Sequence, residues 1–193
     1  MRRFYDWLGA ALDTQAFYEN PAMEDLIAHA SFETARAVLE CGCGTGRFAA
    51  HLFTNVLHRD YLYWAIDISP KLVRLAKQRL EPWQGRATVK LSSGRMILPF
   101  SDHRLDRFVA TYVLDLLAFE DIRALLAEVR RVLISGGLIC LVSLTFGVIV
   151  APQLWSTAVA PMRAPRCLGS AAMVSSVSAA VRNSRSYTIA LLW

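Results

Sequence analysis

Val38-Leu39-Glu40-Cys41-Gly42-Cys43-Gly44-Thr45-Gly46-Arg47-Phe48 decides how the rest of the chain is read. A short apolar run, Ala37–Glu40, ends in a carboxylate. Three glycines follow at alternate positions, and then a helical pattern from Arg47 to about His58, with Phe48, Leu52 and Leu57 on one face. Glycines there admit unusual backbone angles and let a ligand approach the main chain. The helix N-terminus beyond them favours an anion. The dinucleotide fingerprint G-x-G-x-x-G does not fit, because the third glycine arrives one residue early and Arg47 stands in its place. Glu40 would repel a pyrophosphate but suits a ligand bearing an ammonium group.

Outward from this turn the chain alternates. Tyr61–Ile68 is β-rich. Ser69 caps a helix with Pro70 in its first turn, reaching Leu80, with Leu72, Leu75, Ala76 and Leu80 apolar and Lys71, Arg74, Lys77 and Arg79 solvated. Arg86–Leu91 and Leu105–Val113 are the third and fourth strands. Glu120–Leu133 is an amphipathic helix ended by Gly136-Gly137, and Leu138–Leu144 is the fifth strand. This pattern predicts an α/β, Rossmann-like, doubly wound and mainly parallel sheet with helices on both faces. Ligands in such sheets sit at the carboxyl ends of the strands, so the turns after residues 40, 67, 91 and 113 are the places for chemistry. Upstream, residues 1–19 are aromatic-rich and read as helical, and Asn20-Pro21 reads as the N-cap and first position of a helix to about Arg36. Past Gly147 the pattern fails. Val148–Ala160 reads as a poor helix, and Met173–Val181 and Tyr187–Trp193 as weak strands.

The whole chain has 193 residues, 54% of them hydrophobic and 19% charged, which suits one folded domain and excludes global disorder. Its net charge of +5 is unevenly placed. All 16 acidic residues and 15 of the 21 Lys and Arg lie at or before Glu128, and the last six cations, all arginine, follow without an acid. No basic-aromatic ribbon is visible, so the charge does not describe a nucleic-acid surface. Cys41, Cys43, Cys140 and Cys167 are too few for a disulfide scaffold, and Cys41-x-Cys43 lacks zinc spacing; no metal site is expected, and free thiols fit a cytoplasmic protein. Met1-Arg2-Arg3 leads into Phe4-Tyr5-Asp6-Trp7 without the pattern of a signal peptide. Val132–Val150 is uncharged over bilayer length, but Ser135-Gly136-Gly137 interrupts it and Leu138–Leu144 reads as a buried parallel strand, so no stable membrane insertion is expected.

The glycine stretch resembles the first motif of class I S-adenosylmethionine-dependent methyltransferases, E/D-x-G-x-G-x-G. The resemblance covers about residues 36–147. It implies S-adenosyl-L-methionine as cofactor, with the loop Gly42, Cys43, Gly44 and Gly46 packed against it and Glu40 at its methionine end. A second stretch, Ile66-Asp67-Ile68-Ser69-Pro70-Lys71-Leu72, is similar to the family's G-x-D-x-S-x-x-M/L, in which the acid accepts the ribose hydroxyls; Asp67 takes that role and Ile68 lies beside it. Leu98-Pro99-Phe100-Ser101-Asp102 and Leu105-Asp106-Arg107-Phe108 resemble a third family stretch, whose early acid meets the adenine amino group. That acid is replaced here by Ser92-Ser93-Gly94-Arg95, leaving Ser93 and Gly94 as candidates. Asp106 reads as structural. After the fourth strand, Tyr112 is placed against the cofactor and Asp115 as a candidate base, with a helix-capping role for Asp115 as the plainer reading. The family ending would add a further helix and antiparallel sixth and seventh strands.

The resemblance thus divides the chain into a helical cap at 1–36, a cofactor-binding core at 37–147 and an irregular tail at 148–193, diverged or frameshifted. It implies methyl transfer to a small-molecule acceptor by in-line displacement. A noncatalytic or decayed cofactor-binding protein and a nicotinamide-dependent oxidoreductase are the alternatives, and the oligomeric state is not readable.

Overall fold

A computed structural model describes residues 16–56, 60–143 and 188–192. The central sheet has the strand order β3-β2-β1-β4-β5-β6. In chain order the elements are helix α1 (Ala16–His29), a 3-10 turn (Phe32–Thr34), β1 (Ala37–Cys41), α2 (Arg47–Asn55), β2 (Leu62–Asp67), α3 (Pro70–Arg79), a 3-10 turn (Glu81–Trp83), β3 (Ala87–Leu91), β4 (Leu105–Thr111), a 3-10 turn (Leu114–Leu116), α4 (Phe119–Val132), β5 (Leu133–Val142) and β6 (Thr188–Leu192). Every pairing is parallel. The sheet is therefore wound both ways from β1 as the alternation predicts, and the order reverses between β1 and β4.

The strands carry two cores because their side chains alternate between faces. Val38, Tyr63, Ala65, Val89 and Val109 meet Leu26, Phe48, Leu52, Phe53 and Ala76 from α1, α2 and α3. Leu39, Ile66, Phe108, Ala110 and Leu141 meet Ile122, Leu125, Leu126 and Val129 from α4. Burial on both faces explains why the strands read as apolar runs rather than as alternating ones.

Several boundaries differ from the sequence expectation. Pro21 lies inside α1 and does not open it. Asn20 accordingly caps nothing; its Oδ1 accepts a hydrogen bond from Arg47 at 2.5 Å. Nor does that helix run to Arg36: Ser31 takes φ 47°, and Arg107 reaches back from β4 to fill the vacated carbonyls. The Arg107 guanidinium donates to Ala30 O at 2.8 Å, Ser31 O at 2.9 Å and Thr34 Oγ1 at 3.0 Å. Beside it, Asp106 Oδ2 accepts from the backbone N–H of Arg36 (2.7 Å) and Ala37 (3.1 Å), which fixes the entry of β1. α3 begins as expected, with Pro70 at its start and Ser69 Oγ accepting from Leu72 N–H at 3.2 Å. It buries Val73 where Leu75 was expected. α4 ends at Val132 before the glycine pair, which falls within β5 where the pairing with β4 shifts register.

The uncharged stretch around residue 140 is a sheet strand, and no helix among the described residues is long and apolar enough to cross a membrane. The weak strand expected at Tyr187–Trp193 is β6, and it runs parallel to β5 rather than antiparallel. The helix expected at 1–19 before Ala16, and the elements expected at 148–160 and 173–181, lie outside the described residues.

Candidate active site

The carboxyl ends of β1, β2, β3 and β4 border one cavity of about 260 Å³. Glu40 comes from β1, Gly42, Cys43 and Gly44 from the turn after it, and Asp67 and Ile68 from the end of β2. Ser92, Gly94 and Arg95 follow β3, Thr111 closes β4, and Tyr112 and Val113 follow it. Most of the residues singled out in the sequence thus meet at one place. Gly46 and Ser93 belong to its frame and do not line it.

The loop after β1 is built by its glycines. Gly42 takes φ 76°, and a Cβ there would sit 2.1 Å from Val113 Cγ2. Gly46 takes φ 76°, and a Cβ there would meet the α3 backbone at Ala76 Cα, 3.1 Å away. Gly44 differs, because a Cβ on it would meet nothing within 4 Å. Gly44 itself lines the cavity, so a ligand can approach the main chain there. The loop is pinned from outside. Gly42 N–H and Cys43 N–H donate to Ile66 O at 2.8 and 3.1 Å. Arg79 donates to Thr45 O at 3.2 Å and Thr45 Oγ1 at 2.5 Å, so this cation of α3 is not merely solvated.

Two carboxylates face the cavity from adjacent strands. Asp67 accepts from Gly44 N–H at 3.0 Å through Oδ2 and from Ser69 N–H at 2.8 Å through Oδ1. Its orientation is therefore fixed by the loop on one side and the α3 cap on the other. Glu40 is 1% exposed and accepts from the Tyr63 phenol at 2.8 Å. Burial, opposed by that hydrogen bond and reinforced by the nearby Asp67 charge, pushes its carboxyl up to about 8. The same burial, with the Asp67 and Glu40 charges, pushes the Cys41 thiol up to about 12 and the Cys43 thiol well above its usual value. Cys41, Cys43 and Cys140 are free thiols, and burial pushes the Cys140 thiol up as well, which favours the protonated form in all three.

At the far wall Tyr112 adopts φ 58°, and its N–H donates to Val142 O at 2.8 Å. Asp115 lies in the following 3-10 turn, where its Oδ1 accepts from Ser143 Oγ at 2.5 Å, and it does not line the cavity. Ser93 Oγ accepts from Arg95 N–H at 3.4 Å, while its neighbour Ser92 is the serine on the wall. Sequence reading missed Met23, Phe48, Met96 and Leu98 on the lining. It also missed Tyr63, whose partner Glu40 lies on the adjacent strand; a tyrosine in an apolar run carries no sign of what it bonds. Among the described residues no group of three or more His, Cys, Asp or Glu is placed to hold a metal.

A buried carboxylate without a cation is costly, and among the described residues none pairs with Glu40. A ligand carrying an ammonium group would relieve that cost. A diol matches Asp67, whose acceptor oxygens are already oriented. Together with the space at Gly44, these features fit an amino-acid-bearing nucleoside.

Comparison with known proteins agrees. The family model described as a methyltransferase domain matches residues 38–137. Among solved structures, a chain of the complex between the Haloferax volcanii Trm112 methyltransferase activator and a methyltransferase is 18% identical, with a TM-score of 0.70; the match covers 91% of this chain and 75% of that one. The Bacillus subtilis YcgJ protein is 20% identical, with a TM-score of 0.63, and 83% and 68% of the two chains are covered. The Haemonchus contortus phosphoethanolamine N-methyltransferase 1, solved with phosphoethanolamine and S-adenosylhomocysteine, is 17% identical with a TM-score of 0.57, over 65% of this chain and 26% of that one. At such identities these likenesses show the fold. No curated protein sequence matches the chain. The motif, the fold and the family match agree, and the chain belongs to the methyltransferase domain family, the class I enzymes that use S-adenosylmethionine.

Proposed function

We propose that the protein transfers a methyl group to a small, largely apolar acceptor, with the donor held by Glu40, Asp67 and the loop of Gly42, Cys43 and Gly44. The pair of carboxylates at the ends of two adjacent strands carries this reading. Glu40 pairs with the donor's ammonium group and Asp67 accepts from its ribose hydroxyls. No side chain caps the first turn of α2, so its N–H groups and Arg47 face the donor's carboxylate. S-adenosylmethionine, when bound, supplies a methyl group on a positively charged sulfur that is already activated for in-line displacement.

The chain's own work is then alignment and the exclusion of water. After β4 the lining turns apolar, with Val113, Leu116, Leu117 and Leu125, and Met23 from α1 and Phe48 from α2 add further apolar surface. This is where an acceptor would lie, and its apolar side chains suit a small apolar molecule beside the donor. Tyr112 borders both ends. Asp115, turned to Ser143, serves the 3-10 turn, so base chemistry is not assigned to it.

Calorimetry with S-adenosylhomocysteine on Glu40→Ala and Asp67→Ala tests the donor half; unchanged affinity in both variants would sink it. Incubation with methyl-labelled S-adenosylmethionine and a panel of small apolar amines, phenols and thiols, beside bulk RNA and protein, tests the acceptor half. Label appearing only in RNA or protein would overturn it.

A further inference from the structure

We propose that Tyr63 is a positioning residue for the donor: its phenol, bonded to Glu40 Oε2, fixes the carboxyl and leaves Oε1 for the donor's ammonium group. This rests on the donor placement proposed above. In the register of β1 on β2, Val38 stands beside Tyr63 and Glu40 beside Ala65. Side chains two apart on a strand share a face, so Tyr63 and Glu40 lie diagonally across one face of the sheet. There the phenol donates to Glu40 Oε2 at 2.8 Å. Among the described residues no other group hydrogen-bonds the Glu40 carboxyl.

The phenol is held where it is. Tyr63 is fully buried, its ring centred 5.8 Å from that of Phe53 and 6.2 Å from that of Tyr61. A phenol has one hydrogen to donate, and this one is committed to Oε2. Glu40 lines the cavity and Tyr63 does not, so Tyr63 acts on a donor through Glu40. The titratable groups around the carboxyl are Tyr61, Tyr63 and Asp67 from β2 and its approach, Cys41 from β1 and Cys43 from the loop. Arg47 of α2 lines the same cavity, to which α1, α3 and β4 bring Met23, Leu72 and Thr111. Burial pushes the two phenols and the two thiols up, so they keep their protons while Glu40 titrates. The hydrogen bond from Tyr63 favours the charged form of Glu40 over the neutral one. It is therefore worth most once an ammonium group has drawn the proton off Glu40.

Tyr63→Phe keeps the ring and removes only the O–H, and calorimetry on the whole protein with S-adenosylhomocysteine from about pH 6 to about pH 9.5 reads its effect. At the acid end affinity is expected to fall ~5- to 10-fold, the difference between a hydrogen bond to a charged and to a neutral acceptor. At the alkaline end the loss is expected to narrow to about twofold, because unliganded Glu40 is mostly charged there in both proteins. The ligand's own amine titrates alike with both and cancels in the ratio. On a Glu40→Gln background the same substitution is expected to change affinity by less than about twofold at any pH. A second readout needs no ligand. The stability that Glu40 contributes below pH 4.5, and loses as the pH rises to about 8, is expected to go on falling beyond that value in Tyr63→Phe. A loss of affinity equal at every pH would mark a merely structural role and overturn the proposal, as would undiminished affinity or an unmoved stability profile. With any of these, weakened binding by Glu40→Gln would leave the donor placement standing. A wild type that bound no S-adenosylhomocysteine would overturn both.

Discussion

Glu40 spends its unliganded life as a buried acid. Its carboxyl is pushed from 4.5 to about 8 by burial, so between those values the folded protein holds a proton that the unfolded chain has released. Stability from this group is fully present below pH 4.5 and is lost as the pH rises through about 8. Thermal melts should show that fall, and Glu40→Gln should flatten it. A cationic ligand reverses the preference and draws the proton off. Binding of S-adenosylhomocysteine at pH values below about 8 should therefore release protons, seen as a dependence of calorimetric heat on the buffer's ionisation enthalpy, and Glu40→Gln should remove that part of the dependence. At Gly42 the constraint is steric, since a Cβ would sit 2.1 Å from Val113 Cγ2. Gly42→Ala should cost about 2 kcal/mol or more, between the positive φ and the clash. Adding Val113→Ala should recover the steric share and leave the backbone share, which a double-mutant cycle in denaturant measures.

Between elements, the turn joining α1 to β1 hangs on one buried side chain. Arg107→Met would leave the carbonyls of Ala30 and Ser31 without their donor, and we expect about 3 kcal/mol of lost stability in urea unfolding. Glu128 plays a similar part on the other face. It accepts from Leu98 N–H at 2.9 Å and from Arg131 at 2.9 and 2.7 Å, and Arg131 donates in turn to the carbonyls of Leu98 and Phe100. The hydrogen bonds from Arg131 come first in lowering its carboxyl from 4.5 to about 2, so its contribution is present above pH 4.5 and lost as the pH falls through about 2. Glu128→Gln should speed hydrogen exchange at the Leu98 amide. These couplings mark where sequence reading stops. The glycine loop, Asp67 and the Ser69 cap were legible because each is specified by neighbours a few residues away. Arg107, Tyr63 and Glu128 were not, because their partners lie up to 77 residues off and any long polar side chain would read alike. Asn20-Pro21 misled because a proline preceded by a capping residue looks the same at a helix start as within a helix that tolerates it.

At the scale of the molecule, the positive charge is a property of residues 129–193 and not of the cavity. The cavity lining runs from Met23 to Leu125, so we place the donor-binding unit within the region 37–147 with α1 added as a wall. Cleavage of the intact protein by trypsin at Arg163 or Arg166 should leave S-adenosylhomocysteine affinity unaltered; a large loss would show that the tail completes the site. β6 has a different meaning. It lies beside β5 and parallel to it, so the chain must leave the end of β5 and return to its start before the last strand can pair. On the ribosome, which adds ~5–20 residues per second, the central strands and every lining residue emerge seconds before that last pairing can form. The residues of the donor-binding wall are thus all made while the far edge of the sheet is still unpaired.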